Sequence, residues 1–145
     1  MSGMADVIYN LGIDLTLSII DGKWKTSIIC WVGIKPLRNG ELLRLMHGIS
    51  QKVLTQQLRE LEDDGIIQRT SYGTVPPKVV YSLTEDGREL RKVLVTLSKI
   101  GEKKAEKFNE MGRTIHITHT YKEIMPEANY SNLNVETLVK FATES

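Results

Sequence analysis

The sequence predicts a mainly helical α+β fold in which one β-hairpin separates two groups of helices. Three observations lead to this prediction. Apolar residues recur at helical spacing as far as Gly65. Residues 66–83 are instead rich in Ile, Val, Thr and Tyr on either side of a Gly-Thr-Val-Pro-Pro segment, which is typical of a hairpin. A long helical pattern then resumes after Thr84.

Three short helices are predicted first. The apolar residues 13–20 form one helix, which Asp21-Gly22 closes. Trp24, Ile28 and Trp31 fall at i, i+4 and i+7, so a second helix turns this stripe toward the core. A third helix begins near Arg38 or Asn39 and stops at Gly48.

The clearest helix runs from Ser50 to Asp64. Ser50 stands where an N-cap residue belongs, and Gly65 closes the helix as a C′ residue. Leu54, Leu58 and Leu61 repeat at i, i+4 and i+7, which predicts a buried face. The opposite face holds Gln51, Lys52, Thr55, Gln56 and Arg59.

The second half of the chain begins with the hairpin, whose strands are predicted at 66–72 and 78–83. Thr84 then caps a long helix that reaches residue 108, with Glu85 and Asp86 in its first turn. A strand is predicted at 113–121 because this segment is β-branched and partly alternating. A terminal amphipathic helix is predicted from Asn134.

This order of elements is that of a winged helix-turn-helix with a two-stranded β-hairpin wing. The second helix of such a motif enters the DNA major groove, and here it is the helix from Ser50 to Asp64. Lys52 and Arg59 can meet phosphates or guanine, and Gln51 or Gln56 can pair with adenine. Thr55 can contact a thymine methyl group.

Three segments then make the sequence recognisable. Asp21-Gly22-Lys23-Trp24-Lys25, Pro36-Leu37-Arg38 and the run from Gly48 to Leu61 occur in order, and the wing segment from Val75 to Thr84 continues the match. Together they resemble the HxlR-type transcriptional regulators over about residues 11–108. The resemblance implies a bacterial or archaeal regulator that binds double-stranded DNA as a homodimer, joined through its terminal helices. We therefore expect a DNA-binding domain at 1–108 and a C-terminal extension at 109–145.

The resemblance also implies site residues. It places Ser50, Gln51, Lys52, Thr55, Gln56 and Arg59 on the recognition helix, and Lys78 on the wing beside the Pro-Pro. Arg38 matches an arginine at the start of the preceding helix and is expected to contact phosphate. The family often carries Cys-Pro where Leu11-Gly12 stand here, so thiol sensing by that route is in doubt. Asn39 replaces an aromatic residue that usually follows Arg38.

The composition of the chain argues against several other classes of function. The 145 residues include 19 Lys and Arg against 18 Asp and Glu, and this net charge of +1 excludes a histone-like polybasic protein. No apolar run approaches the roughly 18 residues of a membrane span, and the N-terminus lacks the order of a secretion signal, so we expect no membrane partner and a cytoplasmic location. We also expect no catalytic site and no cofactor, because no phosphate loop or catalytic triad pattern occurs.

Several single residues have competing interpretations. Cys30 lies in an apolar run and is expected to be an inert core residue rather than a redox sensor. His116 and His119 are not expected to bind metal, since a strand would point them to opposite faces. Trp24 and Trp31 favour the core or a dimer interface, although a small-molecule effector pocket stays open.

Two other functional classes remain open from the sequence. Winged helices also serve as protein-interaction modules, and the near-neutral charge is compatible with that role. The chain could also be a small-molecule-binding protein with little DNA affinity, using the Trp24 and Trp31 region as its pocket.

Overall fold

The protein folds in the predicted order of elements in a computed structural model, which describes residues 5–125. The elements are α1 (Gly12–Ile19), α2 (Lys25–Val32), α3 (Asn39–Leu45), α4 (Gln51–Asp63), β1 (Ile67–Tyr72), β2 (Lys78–Leu83), α5 (Glu85–Glu110) and α6 (Tyr121–Ile124). The mainly helical α+β class with a two-stranded antiparallel hairpin is thus confirmed.

Helix α4 begins and ends as its sequence predicts. The hydroxyl oxygen of Ser50 accepts a hydrogen bond from the backbone N–H of Val53 at 3.1 Å, which satisfies one of the free donors of the first turn. Leu54, Leu58 and Leu61 are each at most 1% exposed. Gly65 follows the helix with φ of +73°, a conformation that favours glycine. The leucine face is therefore fixed inward and the polar face outward.

The hairpin is joined to the helical part at its base, the end away from the tip. Tyr72 pairs with Lys78 where the strands meet the tip. Leu37, just before α3, exchanges two backbone hydrogen bonds with Tyr81 of β2, at 2.9 and 2.7 Å. Thr84 caps α5 as predicted, because its side chain accepts a hydrogen bond from a first-turn N–H at 3.1 Å. These bonds hold the wing at a fixed place beside α3.

Helix α2 lies at the centre of the core. It packs against α4, α5 and β2, and its Ile28 and Ile29 are fully buried. Leu42 of α3 and Val95 of α5 complete this centre, each at most 1% exposed. Burial of a side chain of this size stabilises the fold by about 1.5–3 kcal/mol, so α2 is the element through which α4 and α5 are held together.

The strand predicted at 113–121 is wrong. Residues 113–120 contain no strand, and α6 begins at Tyr121. The reason is local hydrogen bonding: the side chain of Asn109 accepts from the N–H of Ile115 at 2.7 Å and donates to its carbonyl at 3.0 Å. A side chain thus satisfies the backbone groups that a strand would offer to a partner. The segment folds back so that Ile124 and Met125 join the core.

Two predictions are not settled by these residues. The terminal helix from Asn134 lies outside the described range, and the domain boundary at residue 108 stays a prediction. Within 5–125, no helix is long and apolar enough to cross a bilayer.

Candidate nucleic-acid interface

The exposed face of α4 carries all six residues that were predicted for the recognition helix. Each of them is exposed, whereas the leucines on the other side of the helix are buried; the exposed residues are Ser50, Gln51, Lys52, Thr55, Gln56 and Arg59. Positions separated by three or four residues lie on one side of a helix. The face is therefore continuous, and nothing within 5–125 covers it.

Two side-chain hydrogen bonds order the glutamines of this face. The amide nitrogen of Gln51 donates to the hydroxyl of Thr55 at 2.9 Å, and that of Gln56 donates to Glu60 at 3.3 Å. Each amide keeps its carbonyl oxygen and one further hydrogen for another partner. Gln51 and Gln56 are thus oriented along the helix with donor and acceptor groups still available.

The cations of α4 are unpaired, in contrast to its glutamines. Lys52 and Arg59 make no ion pair within the described residues and are exposed. The acidic Glu62, Asp63 and Asp64 gather at the C-terminal end of the helix and are also exposed. Because a helix N-terminus attracts anions through its free N–H groups and its dipole, α4 favours phosphate near Ser50 and disfavours it at the other end.

Arg38 lies at the N-terminus of α3 and Lys78 at the tip end of β2. Arg38 follows Leu37, which pairs with β2, and its backbone N–H donates to Glu41 at 3.0 Å. This bond is the main reason why the pKa of Glu41 lies below its usual range. The Lys78 ammonium lies 5.6 Å from the centre of the Tyr72 ring. Both cations are exposed and lie outside α4, Arg38 before α3 and Lys78 on the wing itself.

Sequence reasoning missed two residues that act on this face. Glu60 lies in the matched run from Gly48 to Leu61 and Lys25 in the matched segment that contains Trp24, but neither was given a role. In the structure the Lys25 ammonium lies 2.6 Å from a carboxylate oxygen of Glu60. The i to i+4 spacing of Gln56 and Glu60 could have indicated their hydrogen bond. No sequence pattern links Lys25 to Glu60, because their contact depends on how α2 packs against α4.

A second feature lies on the other side of α2. A cavity of about 380 Å³ opens between α2, α5 and the segment before α6, and it is lined by Trp31, Cys30, Leu97, Ser98 and His119 among others. A smaller cavity of about 180 Å³ adjoins it, and Trp24, Trp31 and His119 line that one. The Trp31 and His119 rings meet edge to face at 5.2 Å between the two cavities. Both tryptophans are half-buried against the core.

The cysteine and the histidines also have defined surroundings. Cys30 is buried, and burial raises the pKa of its thiol to about 11 although Arg91 opposes the shift. The thiol is therefore protonated at neutral pH, as expected of an inert core residue. The Nδ1 atom of His119 lies 2.8 Å from Glu123, whose pKa this hydrogen bond lowers. No group of three metal-ligating side chains occurs between residues 5 and 125.

Comparison with known proteins gives this geometry its context. The family described as HxlR-like helix-turn-helix matches residues 19–120. The HTH-type transcriptional regulator YtcD of Bacillus subtilis (strain 168), which is named as uncharacterized, is 52% identical over 93 residues, 64% of this chain and 74% of that protein.

Two solved structures show the same architecture. The redox regulator HypR in its reduced form is 41% identical with a TM-score of 0.65, and the match covers 68% of this chain and 97% of HypR. YtcD, whose crystal structure is known, is 46% identical with a TM-score of 0.60, and the match covers 71% of this chain and 99% of the YtcD chain.

The family match exceeds half of the chain, and it spans the helix-turn-helix and the wing that form the exposed face. The relatives above are named as regulators rather than enzymes. The chain therefore belongs to the HxlR-like helix-turn-helix family and is a DNA-binding transcriptional regulator.

Proposed function

We propose that the protein binds an inverted-repeat operator as a homodimer, with α4 of each protomer in a major groove. The observation that carries this proposal is the uncovered polar face of α4, whose opposite face is fixed in the core. Two-fold symmetry would place the two half-sites about one helical turn, or roughly 10 bp, apart. In this proposal the protein acts in the cytoplasm by binding DNA, and it needs no cofactor.

The residues of this interface divide into two groups by chemistry. Lys52, Arg59, Arg38 and the wing residue Lys78 supply cations for the phosphate backbone. The Ser50 hydroxyl, which already accepts from Val53, can still donate its hydrogen to a phosphate oxygen. The remaining group reads bases: Gln51 and Gln56 offer paired donors and acceptors, and Thr55 offers a methyl group.

The dimer proposal rests on apolar surface that the described chain leaves uncovered. Leu15 and Leu17 of α1 are about half exposed, and so are Val93, Leu97 and Ile100 of α5. Large apolar side chains exposed on these two helices favour association, because their burial removes apolar area from water. A second copy would bring the same two helices, which is what an isologous interface requires.

The experiment is binding of the purified protein to fragments of its own upstream DNA at two salt concentrations, with light scattering on the same sample. We expect a retained fragment whose affinity falls steeply at higher salt, and the mass of a dimer. No retention at low salt would contradict the operator proposal and favour a protein-interaction module. A monomer at micromolar concentration would contradict the dimer.

A small-molecule effector is the second candidate function, and the larger cavity favours it. Its volume of about 380 Å³ is within the range of ligand sites. The hydroxyls of Thr26, Ser27 and Ser98 line it beside the ring of Trp31, so it combines an aromatic wall with polar groups. It also touches α2, which packs against α4, and α5, which supplies the proposed dimer face.

Tryptophan fluorescence tests the effector proposal in the absence of DNA. Small uncharged aromatic compounds that do not emit in the tryptophan range, such as benzyl alcohol, should change the emission of a Trp24→Phe variant, in which Trp31 is the single tryptophan. Ser98→Leu in the same background fills part of the cavity without adding a second fluorescent side chain. Binding that is equal with and without Ser98→Leu would contradict this site.

A further inference from the structure

An ion pair between two helices stands directly behind the exposed face of α4. The Lys25 ammonium of α2 lies 2.6 Å from Oε2 of Glu60 on α4. Lys25 is only 7% exposed, which is rare for a lysine. A buried ammonium needs a charged partner, since leaving it unpaired costs several kcal/mol. Glu60 is therefore held firmly in one place.

Glu60 uses its other oxygen to hold a residue of the exposed face. Its Oε1 accepts a hydrogen bond from the amide nitrogen of Gln56 at 3.3 Å. The hydrogen bond from Lys25 is the largest cause, and that from Gln56 the next, of the lowered pKa of Glu60. The carboxylate thus stays ionised and serves both partners at once. The chain Lys25–Glu60–Gln56 runs from the core to the surface.

This chain matters because of what it leaves on Gln56. One amide hydrogen is donated to Glu60, so the second hydrogen and the carbonyl oxygen remain. These are the two groups that a glutamine uses to pair with N7 and N6 of adenine. Gln51 differs, since between residues 5 and 125 its amide is held only by Thr55 of the same helix.

We infer that Lys25 is a positioning residue for base recognition: through Glu60, it holds the Gln56 amide in the orientation that reads adenine. The inference rests on the proposed operator binding. An unheld glutamine loses side-chain freedom when it meets a base, and this entropy opposes binding. With Lys25 in place, much of that ordering is complete before DNA arrives. Without Lys25, Glu60 would also carry an uncompensated negative charge on a face that approaches phosphates.

The test begins with selection of DNA from a random pool by the full chain, which yields the operator. Every single-base variant of that operator is then measured with wild type and with Gln56→Ala. We expect Gln56→Ala to reduce the preference for adenine at one position of each half-site by a factor of about 5 to 100. If no sequence is enriched, the proposed function itself fails, and the inference fails with it.

Lys25→Met is the deciding variant, and Lys23→Met is its matched control. Lys23 is exposed and contacts the ring of Trp24, not Glu60. We expect Lys25→Met to reduce adenine preference at the position that Gln56→Ala identifies, while preferences at other positions stay as in wild type. Lys23→Met should change none of them.

A double variant keeps the test sound if Lys25→Met folds poorly. Lys25 is buried whereas the Glu60 side chain is 41% exposed, so replacing both leaves no unpaired charge in the core; Lys25→Met/Glu60→Leu should therefore fold and lose the same adenine preference. Circular dichroism confirms the fold of each variant. The inference is overturned if Gln56→Ala changes no base preference. It is equally overturned if the Lys25 variants weaken all DNA sequences by one common factor, or leave the adenine preference intact.

Discussion

The salt dependence of DNA binding gives the sharpest test of Lys52. This side chain is exposed on the first turn of α4 and has no ionic partner between residues 5 and 125, so it is free to neutralise a phosphate. In the proposed dimer, Lys52→Ala removes two such contacts. Each phosphate contact contributes about −0.9 to the slope of log K against log salt. The slope should therefore become less steep by about 1.8.

The size of this change makes it measurable. Between about 50 and 200 mM salt, wild type should lose about 12 times more affinity than Lys52→Ala, because their slopes differ by about 1.8. Fluorescence anisotropy with a labelled operator measures both slopes. Lys107→Ala, which removes one exposed cation from the last turn of α5, is the control of equal charge and should leave the slope unchanged.

The possible results separate the parts of the argument. A slope equal to that of wild type would refute the phosphate contact of Lys52. A change of only about 0.9 would mean that one protomer alone uses this residue, which contradicts symmetric binding. Gln56→Ala should lower affinity for the operator without changing the slope, because a neutral side chain releases no counterions.

Three further predictions concern the fold. Gly87→Ala should destabilise the protein by about 1–3 kcal/mol, because the new Cβ would lie 2.1 Å from the carbonyl oxygen of Ile66. Gly101→Ala in the same helix is the control: its Cβ would meet nothing within 4 Å, and the change should stabilise the protein by about 0.5–1 kcal/mol. Urea unfolding measures both changes. Ser50→Ala should cost about 1 kcal/mol in the same assay, and full stability would contradict the cap. The raised pKa of Cys30 means that the folded state binds the thiol proton more tightly. The free energy of unfolding of wild type relative to Cys30→Ala should therefore stay constant below pH 9 and fall as pH rises toward 11; a constant difference throughout would contradict burial of the thiol.

The parts of the fold that sequence predicted are those that local rules determine. Ser50, the leucines of α4 and Gly65 each act within a few residues of themselves, so cap, periodicity and turn identify the helix together. The hairpin was equally clear because its β-branched residues flank a proline-limited tip. The exposed residues of α4 followed from the same periodicity, since a helix with one buried face must expose the other.

The parts that sequence did not predict depend on contacts between distant segments. The composition of residues 113–121 favoured a strand, but the side chain of Asn109 satisfies the backbone of Ile115, and no strand of the described part of the chain pairs with this segment. Lys25 and Glu60 meet only because α2 packs across α4. Local propensity carries no information about either contact, because each arises from tertiary packing.

The apolar stripe of α5 shows how periodicity can be right and still incomplete. Leu94 and Leu97 are three residues apart and so share one side of the helix, yet Leu94 is buried within the chain whereas Leu97 is half exposed. The stripe is wider than the surface that the described chain covers, and the excess is what the proposed dimer would bury. In that dimer, α1 and α5 set the distance between the two copies of α4, while the exposed face of α4 sets the bases that are read. Exchange of the α4 face should therefore change the operator sequence and preserve the spacing of its half-sites.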